Sequence, residues 1–554
     1  MISQLETLIR SEPRRAKRGD LENGLTSRVM PALLRKLEGE GNFLTPEQQE
    51  GLCAISATIE AMAKGEAGNK FYLSSLPMGM GKTTALAETV KAMLADPARY
   101  ADVGILILVN QLNLIAPLIE RMGLATDRFD PRFAVRVGKN NMDKTGLEFD
   151  LNDLGLGAEP QAQCQAQVLV STQQKYVHKQ PTGPAFGNDS FYKFRAEVRK
   201  VKVWDEAIAP IHPITLTVKQ ITGFAATVLK TGNISAARKL LTWAQNLGTS
   251  GKVAMVPCWM PDESDMAAWD WSTIPENLKV AAPDEWNAAG WALAKLQGQL
   301  VSVHHDDLHG AVAISYFETL PADFAPVLIL DAFGEDRAFY RTWANYRGNL
   351  EFLADAPKTY RNLTVHWCDI ASGKVAHRTP EQKALIVDAG IAAHFVAGAP
   401  MLNVTHKPEK DSYDIRADMM EGIKAAGGDP YRDEYLTWGL HTGTNAFLDR
   451  KHIFIGGLWR KPLHVYKALY RGVANFSPWQ RLGDAKLKQL ALTEIAHDLQ
   501  QAVGRIAVRQ NKDGDCPSDC HLWVTSAGKG NMPFTREHFE RRRTLTIEEP
   551  PTVL

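Results

Sequence analysis

The stretch Leu76-Pro77-Met78-Gly79-Met80-Gly81-Lys82-Thr83-Thr84 restricts this chain more than any other. An apolar run, Phe71-Tyr72-Leu73, precedes it, and a helix-forming run, Ala85 to Leu94, follows. Strand, glycine loop and helix in that order is the setting of a phosphate-binding loop. Gly79 and Gly81 can turn backbone N–H groups toward an anion at close range. The helix that opens near Lys82 adds unsatisfied N–H groups and a positive dipole end. Lys82 then reaches the outer phosphates of a nucleotide, and the Thr83 hydroxyl is placed for Mg²⁺. The whole run from Met78 through Met80 to Thr84 is the expected nucleotide contact. The full pattern G-x-x-x-x-G-K-[ST] has glycine at the position held here by Leu76. A plain glycine turn before a helix is the simpler reading, but it leaves Gly-x-Gly-Lys-Thr after a strand unexplained.

The second landmark is Asp205-Glu206, which closes the run Val201-Lys202-Val203-Trp204. An acid at the end of a buried strand in a phosphate-loop protein holds Mg²⁺, and the Glu beside it can orient and deprotonate a water. Other apolar runs, Ile105 to Val109, Val168 to Thr172 and Val327 to Leu330, suit strands buried on both faces of a parallel sheet. Helical runs alternate with them. The expected fold is therefore α/β, with ligands at the carboxyl ends of the strands.

At 554 residues the chain is too long for one core. Its 63 Lys and Arg balance 63 Asp and Glu, so a nucleic-acid partner would need a local basic surface. No apolar run is long enough to span a membrane, and Met1 to Arg18 lacks the apolar core of a signal peptide. Six scattered cysteines suit a reducing cytoplasm better than a disulfide framework.

The expected organisation is an N-terminal extension over 1–43, a first α/β domain over 44–345, a linker over 346–380, a second α/β domain over 381–530 and a loose tail over 531–554. The extension starts with a helix over 2–10 and the basic run Arg14-Arg15-Ala16-Lys17-Arg18, a solvated face or a binding patch. Thr45-Pro46-Glu47-Gln48 reads as a helix start. Gln48 either contacts an adenine edge or is simply solvated. Residues 213–320 read as a mostly helical insert with a hairpin over Leu300 to Phe317. It holds Trp243, Trp259, Trp269, Trp271, Trp286 and Trp291, which either form its own core or stack on unpaired bases. His304, His305, Asp306 and His309 read as a polar turn rather than a metal site. Cys516, Cys520 and His521 lack a further ligand pair and read as a loop. In the second domain, Gln501-Ala502-Val503-Gly504-Arg505 and Arg509 can place a guanidinium at a cleft rim, against charge on a transferring phosphoryl group.

Taken together, these motifs resemble those of a superfamily 2 helicase of the DEAD/DEAH-like, phage or plasmid kind, over roughly residues 44–525. Leu76 to Thr83 resembles motif I, Leu108 to Leu112 motif Ia, and Asp205-Glu206-Ala207 motif II. Leu330-Asp331-Ala332 resembles motif III, Gly443 to Asp449 motif V, and Gln501 to Arg509 motif VI. The resemblance implies two RecA-like domains in tandem, with ATP and Mg²⁺ between them. It implies Gln48 on adenine, Lys82 on phosphates, Thr83 and Asp205 on Mg²⁺, and Glu206 on water. Arg505, with Arg509 as its alternative, reaches across from the second domain. Single-stranded DNA is the favoured partner, with RNA and a larger protein or ribonucleoprotein complex as further partners. A nucleic-acid-independent ATPase switch acting on a protein is the rival. Three departures stand out. Phe333 occupies the Thr position of motif III, Arg509 falls one residue late for Gln-x-x-Gly-Arg-x-x-Arg, and motif II ends in Ile208. Iron–sulfur members carry four cysteines between motifs I and II. Here that interval holds Cys164, so no cluster is expected.

Overall fold

The computed structural model describes residues 24–126, 130–137, 144–147, 165–178, 193–230, 232–259, 284–306, 309–409, 412–440, 446–527 and 546–548. The expected helix at 2–10, the basic run at 14–18, Cys164, Trp269, Trp271 and the Gly443-Thr444-Asn445 segment lie outside them.

Two helices lead into the first sheet. Leu25–Gly39 forms α1 and Pro46–Lys64 forms α2. The start of α2 follows from its sequence. The Thr45 hydroxyl accepts from the Gln48 N–H while the Gln48 side chain accepts from the Thr45 N–H, which satisfies two orphan donors at once. Helix α1, which the extension at 1–43 did not foretell, buries Leu25, Val29, Leu33 and Leu37 in the first core.

The first sheet is built from β1 (Phe71–Leu73), α3 (Lys82–Leu94), β2 (Ile105–Val109), α4 (Ile115–Arg121), β3 (Phe133–Arg136), β4 (Val168–Thr172) and β5 (Val201–Asp205). An insert follows, with β6 (Ile211–Thr217), α5 (Val218–Lys230), α6 (Ile234–Leu247), β7 (Val253–Met255), α7 (Asp284–Leu296), β8 (Leu300–Asp306) and β9 (Gly310–Glu318). The sheet then resumes with β10 (Val327–Leu330), α8 (Ala338–Arg347) and β11 (Leu350–Phe352). Its order is β11-β1-β10-β5-β2-β4-β3, and every pair is parallel. All residues of β2, β4 and β5 are buried, as continuous apolar runs between two helical layers require. The register sets Leu73 beside Ile329 and Leu330 beside Asp205. The phosphate loop, Asp205-Glu206 and Asp331 therefore leave the same sheet edge side by side.

The insert has its expected helices and its hairpin, β8–β9. Beside these it carries β6 and β7, which flank the hairpin and complete a four-stranded antiparallel sheet, β6-β9-β8-β7. The buried side chains of β6 alternate with its more exposed ones, so one face of this sheet packs on the insert's helices.

The second half holds β12 (Leu363–Cys368), α9 (Pro380–Ala397), β13 (Met401–Thr405), α10 (Ile415–Ala425), β14 (Glu434–Thr437), β15 (His452–Gly456), α11 (Leu463–Val473), α12 (Asp484–Val503), β16 (Cys520–Thr525) and β17 (Thr546–Glu548). They form a parallel sheet of order β14-β13-β15-β16-β12-β17. The stretch expected as a linker thus contributes β11 to the first sheet and β12 to the second. The tail also contributes β17. Helices α11 and α12 bridge the halves. Tyr466, Leu469, Tyr470, Val473, Leu487 and Leu490 sit in the first core. Gly472 brings α11 onto the insert, where a Cβ would come within 2.8 Å of Ile211 and 2.9 Å of Tyr316.

Candidate nucleotide site between the two sheets

The loop after β1 turns through Gly79 (φ 82°) and Gly81 (φ 88°), left-handed backbone that glycine adopts without strain. Gly79 is also needed for space. A Cβ there would lie 1.7 Å from the carbonyl oxygen of Arg509, which belongs to the second half. Gly81 caps α3 and directs its first N–H groups into the cleft. Lys82 is buried and folds back on the loop, donating to Leu76 O and, at 3.2 Å, to Pro77 O. Burial, with the Arg509 charge, pushes its amine down to about 8.

Thr83 Oγ1 lies 3.5 Å from Asp205 Oδ1. Burial and the adjacent Glu206 raise the Asp205 carboxyl to about 7. A hydroxyl and a carboxylate, both hard oxygen donors, fit Mg²⁺, which takes few protein ligands and keeps several waters. Glu206 has φ 89°, a conformation that costs a non-glycine residue about 1–3 kcal/mol. Two bonds hold it there: its N–H donates to Leu330 O at 3.3 Å, and its carboxylate accepts from Asn110 Nδ2 at 2.8 Å. The role of Asn110 was signalled only by a polar residue closing the apolar run of β2.

The opposite wall comes from the end of α12 and the turn after it. Arg505 Nη2 donates to Gln501 Oε1 at 3.0 Å. Burial lowers the Arg505 guanidinium to about 10, opposed by Glu206. Arg509 is lowered by burial too, opposed by Glu206 and then Asp205. Lys82, Thr83, Asp205, Glu206, Gln501, Arg505 and Arg509 all line one cavity of about 230 Å³. Met78, Gly79, Gly81 and Thr84 line it as well, while Met80 is buried in the first core. Leu37, Glu40 and Asn42 also border the cavity, and no motif announced them.

Gln48 does not border it. Its Nε2 donates to Pro357 O at 3.1 Å, and its Oε1 accepts from Asn511 Nδ2 at 3.0 Å and from the Thr45 N–H. Gln48 is fully buried, so it is not simply solvated; its carboxamide links α2 to Pro357 O and to Asn511 of the second half.

Of the insert's tryptophans, Trp243 and Trp259 are buried in its core, and Trp291 packs edge-on against Phe317 at 5.2 Å. The core reading fits Trp243 and Trp259; Trp291 is partly buried against the same cluster. His304 pairs with Lys467 at 2.7 Å, and Cys516 and Cys520 are buried free thiols. Among the described residues no group of three or more His, Cys, Asp and Glu is arranged to hold a metal, and no helix is long and apolar enough to cross a membrane.

No protein-family model matches the chain. No curated protein matches it either. Among solved structures, an XPD helicase aligns over 92% of this chain and 100% of its own, at 14% identity and a TM-score of 0.50. The chain shares the overall fold of that structure. That fold accounts for the two parallel sheets. Weaker likenesses include an apo XPD structure (14% identity, 89% of this chain and 99% of that one, TM-score 0.47). A DEAD box protein from Methanococcus jannaschii is another (10% identity, 92% and 99%, TM-score 0.32).

Proposed function

We propose that this chain is an ATP-driven helicase or translocase acting on nucleic acid, with single-stranded DNA as its preferred track. The observation that carries the reading is the meeting of Lys82, Thr83, Asp205 and Glu206 from the first half with Gln501, Arg505 and Arg509 from the second in one cavity. Lys82 leaves its loop carbonyls to hold outer phosphates. Thr83 and Asp205 would hold Mg²⁺, which when bound screens phosphate charge. Glu206, fixed by Asn110, orients the attacking water and takes its proton. The charge spread over the equatorial oxygens of a loose transition state needs cations from more than one side, and the second half supplies them. Because the arginines and the loop belong to different halves, turnover changes how the halves meet. A strand lying across both would be stepped accordingly.

The test is ATP turnover with and without single-stranded DNA or RNA, in wild type, Lys82→Ala, Arg505→Ala and Arg509→Ala proteins. Strand-stimulated turnover lost in Lys82→Ala and in at least one arginine variant is expected. Turnover indifferent to both nucleic acids would favour the protein-switch reading. Two fully active arginine variants would refute the two-walled site.

A further inference from the structure

Asp331 follows β10 next to Asp205-Glu206, yet it does not line the cavity. It turns the other way, toward α12. Its Oδ2 accepts from Arg337 Nη1 at 2.7 Å and its Oδ1 from His497 Nε2 at 3.0 Å. Arg337, at the start of α8, also donates to both oxygens of Glu494, at 2.9 and 2.8 Å. One residue on, the Ala338 N–H donates to Thr493 Oγ1 at 3.0 Å. All of these side chains are buried. Burial alone would raise the Asp331 carboxyl, but His497 and Arg337 hold it well below the carboxylate range.

Placement gives the network its meaning. On one side it grips the residue after Leu330, whose carbonyl accepts from the N–H of Glu206. On the other it grips α12 at Glu494 and His497. Gln501 lies four residues beyond His497, one turn along the same helix face, and it accepts from Arg505. A fully bonded buried ion network contributes little net stability but tolerates few geometries. A bidentate arginine is the most demanding of its parts.

We propose that Asp331, Arg337, Glu494 and His497 form a latch that positions α12, and through Gln501 the Arg505 guanidinium, against Glu206. They are positioning residues, since none of them borders the cavity. The inference rests on the ATP-hydrolysis reading above. It predicts that the latch acts on rate and not on nucleotide binding, because the phosphate loop belongs to the first half.

The experiment is a double-mutant cycle on kcat with Glu494→Gln and Arg505→Ala, alongside the Kd of an ATP analogue with Mg²⁺. Glu494→Gln keeps the side chain's shape and removes its charge. It should lower kcat by about 10–10²-fold, the cost of roughly 1 Å of misplacement, with Kd unchanged. The double variant should turn over no more slowly than Arg505→Ala alone, because there is no guanidinium left to misplace. Losses that multiply, or a Glu494→Gln rate equal to wild type beside a crippled Arg505→Ala, overturn the latch and leave the ATPase reading intact. An Arg505→Ala rate equal to wild type overturns both the latch and the role given to Arg505. Melting curves check folding. If Glu494→Gln does not fold, Asp331→Asn takes its place in the same cycle, with the same outcomes deciding.

Discussion

Replacing Gly504 by alanine tests how closely the two walls must approach. Gly504 ends α12 with φ −72° and ψ 8°, so alanine meets no backbone strain there. Space is the obstacle. The new Cβ would lie 1.8 Å from Met78 Cε and 2.8 Å from its Sδ. Ordinary contact requires the methyl and the helix end to separate by about 1.6 Å more. Met78 belongs to the phosphate loop and is packed with Phe333, Tyr360, Val503 and Val508. The void beside it is about 10 Å³, too small to take a displaced methyl. Overpacking of this kind costs about 1–3 kcal/mol. If the cost falls on the closed arrangement of the walls, kcat drops between about fivefold and about 150-fold. Nucleotide Kd should hold, because the phosphate contacts come from the first half. The assay is steady-state ATP turnover with a strand present, in Gly504→Ala and in Gly504→Ala combined with Met78→Ala. Truncating Met78 removes both clashing atoms and should restore most of the rate. A single variant as fast as wild type, or a double variant no faster than the single, would refute the contact's role.

Glu206→Gln should bind nucleotide normally and hydrolyse it about 10²–10⁴-fold more slowly, which single-turnover kinetics can read; near-normal hydrolysis removes Glu206 from the mechanism. Trp259→Ala should destabilise the protein by about 3–5 kcal/mol in denaturant melts, with strand affinity unchanged in the folded fraction, because the ring is buried in the insert. Weakened strand binding by well-folded protein would restore the base-stacking reading. His406 is held near pKa 4 by burial, then by His377 and Lys374. The unfolded chain therefore takes up the proton first as pH falls. Stability present above about 6.5 is lost between about 6.5 and 4, by up to about 3 kcal/mol. Urea unfolding at both ends of that range should show a shallower loss in His406→Gln than in wild type, and equal losses would exclude His406 as the source.

The first wall of the site was legible because it is local. A glycine loop between an apolar strand and a helix, and two acids closing another apolar strand, need only a few consecutive residues to be recognised. The central strands of both parallel sheets were legible for the same reason, since burial on both faces leaves continuous apolar runs, whereas the outer strands β11, β14 and β17 were not. Elements with one wet face were harder to read. Strand β6 contains His212 and Pro213 on its less buried positions and is not recognisable as a strand until β9 is placed beside it. Helix α1 has no side-chain cap and carries Pro31, so its stripe of Leu25, Val29, Leu33 and Leu37 is convincing only once α3 is there to receive it. The links from Gln48 to Pro357 and Asn511 were not legible because those partners lie 309 and 463 residues away.

Position 333 shows how a departure from a motif acquires a physical meaning once the fold is known. The motif that this stretch resembles has a hydroxyl there, and Phe333 has none to offer. In the structure its backbone takes φ 62° while its N–H donates to Ser75 O at 3.1 Å, which ties the turn to the start of the phosphate loop. Its ring, with Met78, joins the second-half cluster that contains Val503 and Val508. The first half thus inserts Met78, Ala332 and Phe333 beside the turn that carries Arg505 and Arg509. A hydroxyl bonded to a neighbour would tolerate slight separation of the halves by exchanging that bond for one to water. A buried ring does not, because separation exposes apolar surface at about 25 cal/mol per Å². At this position, contact between the halves depends on packing, while Asp331, Arg337, Glu494 and His497 supply polar contacts to α12.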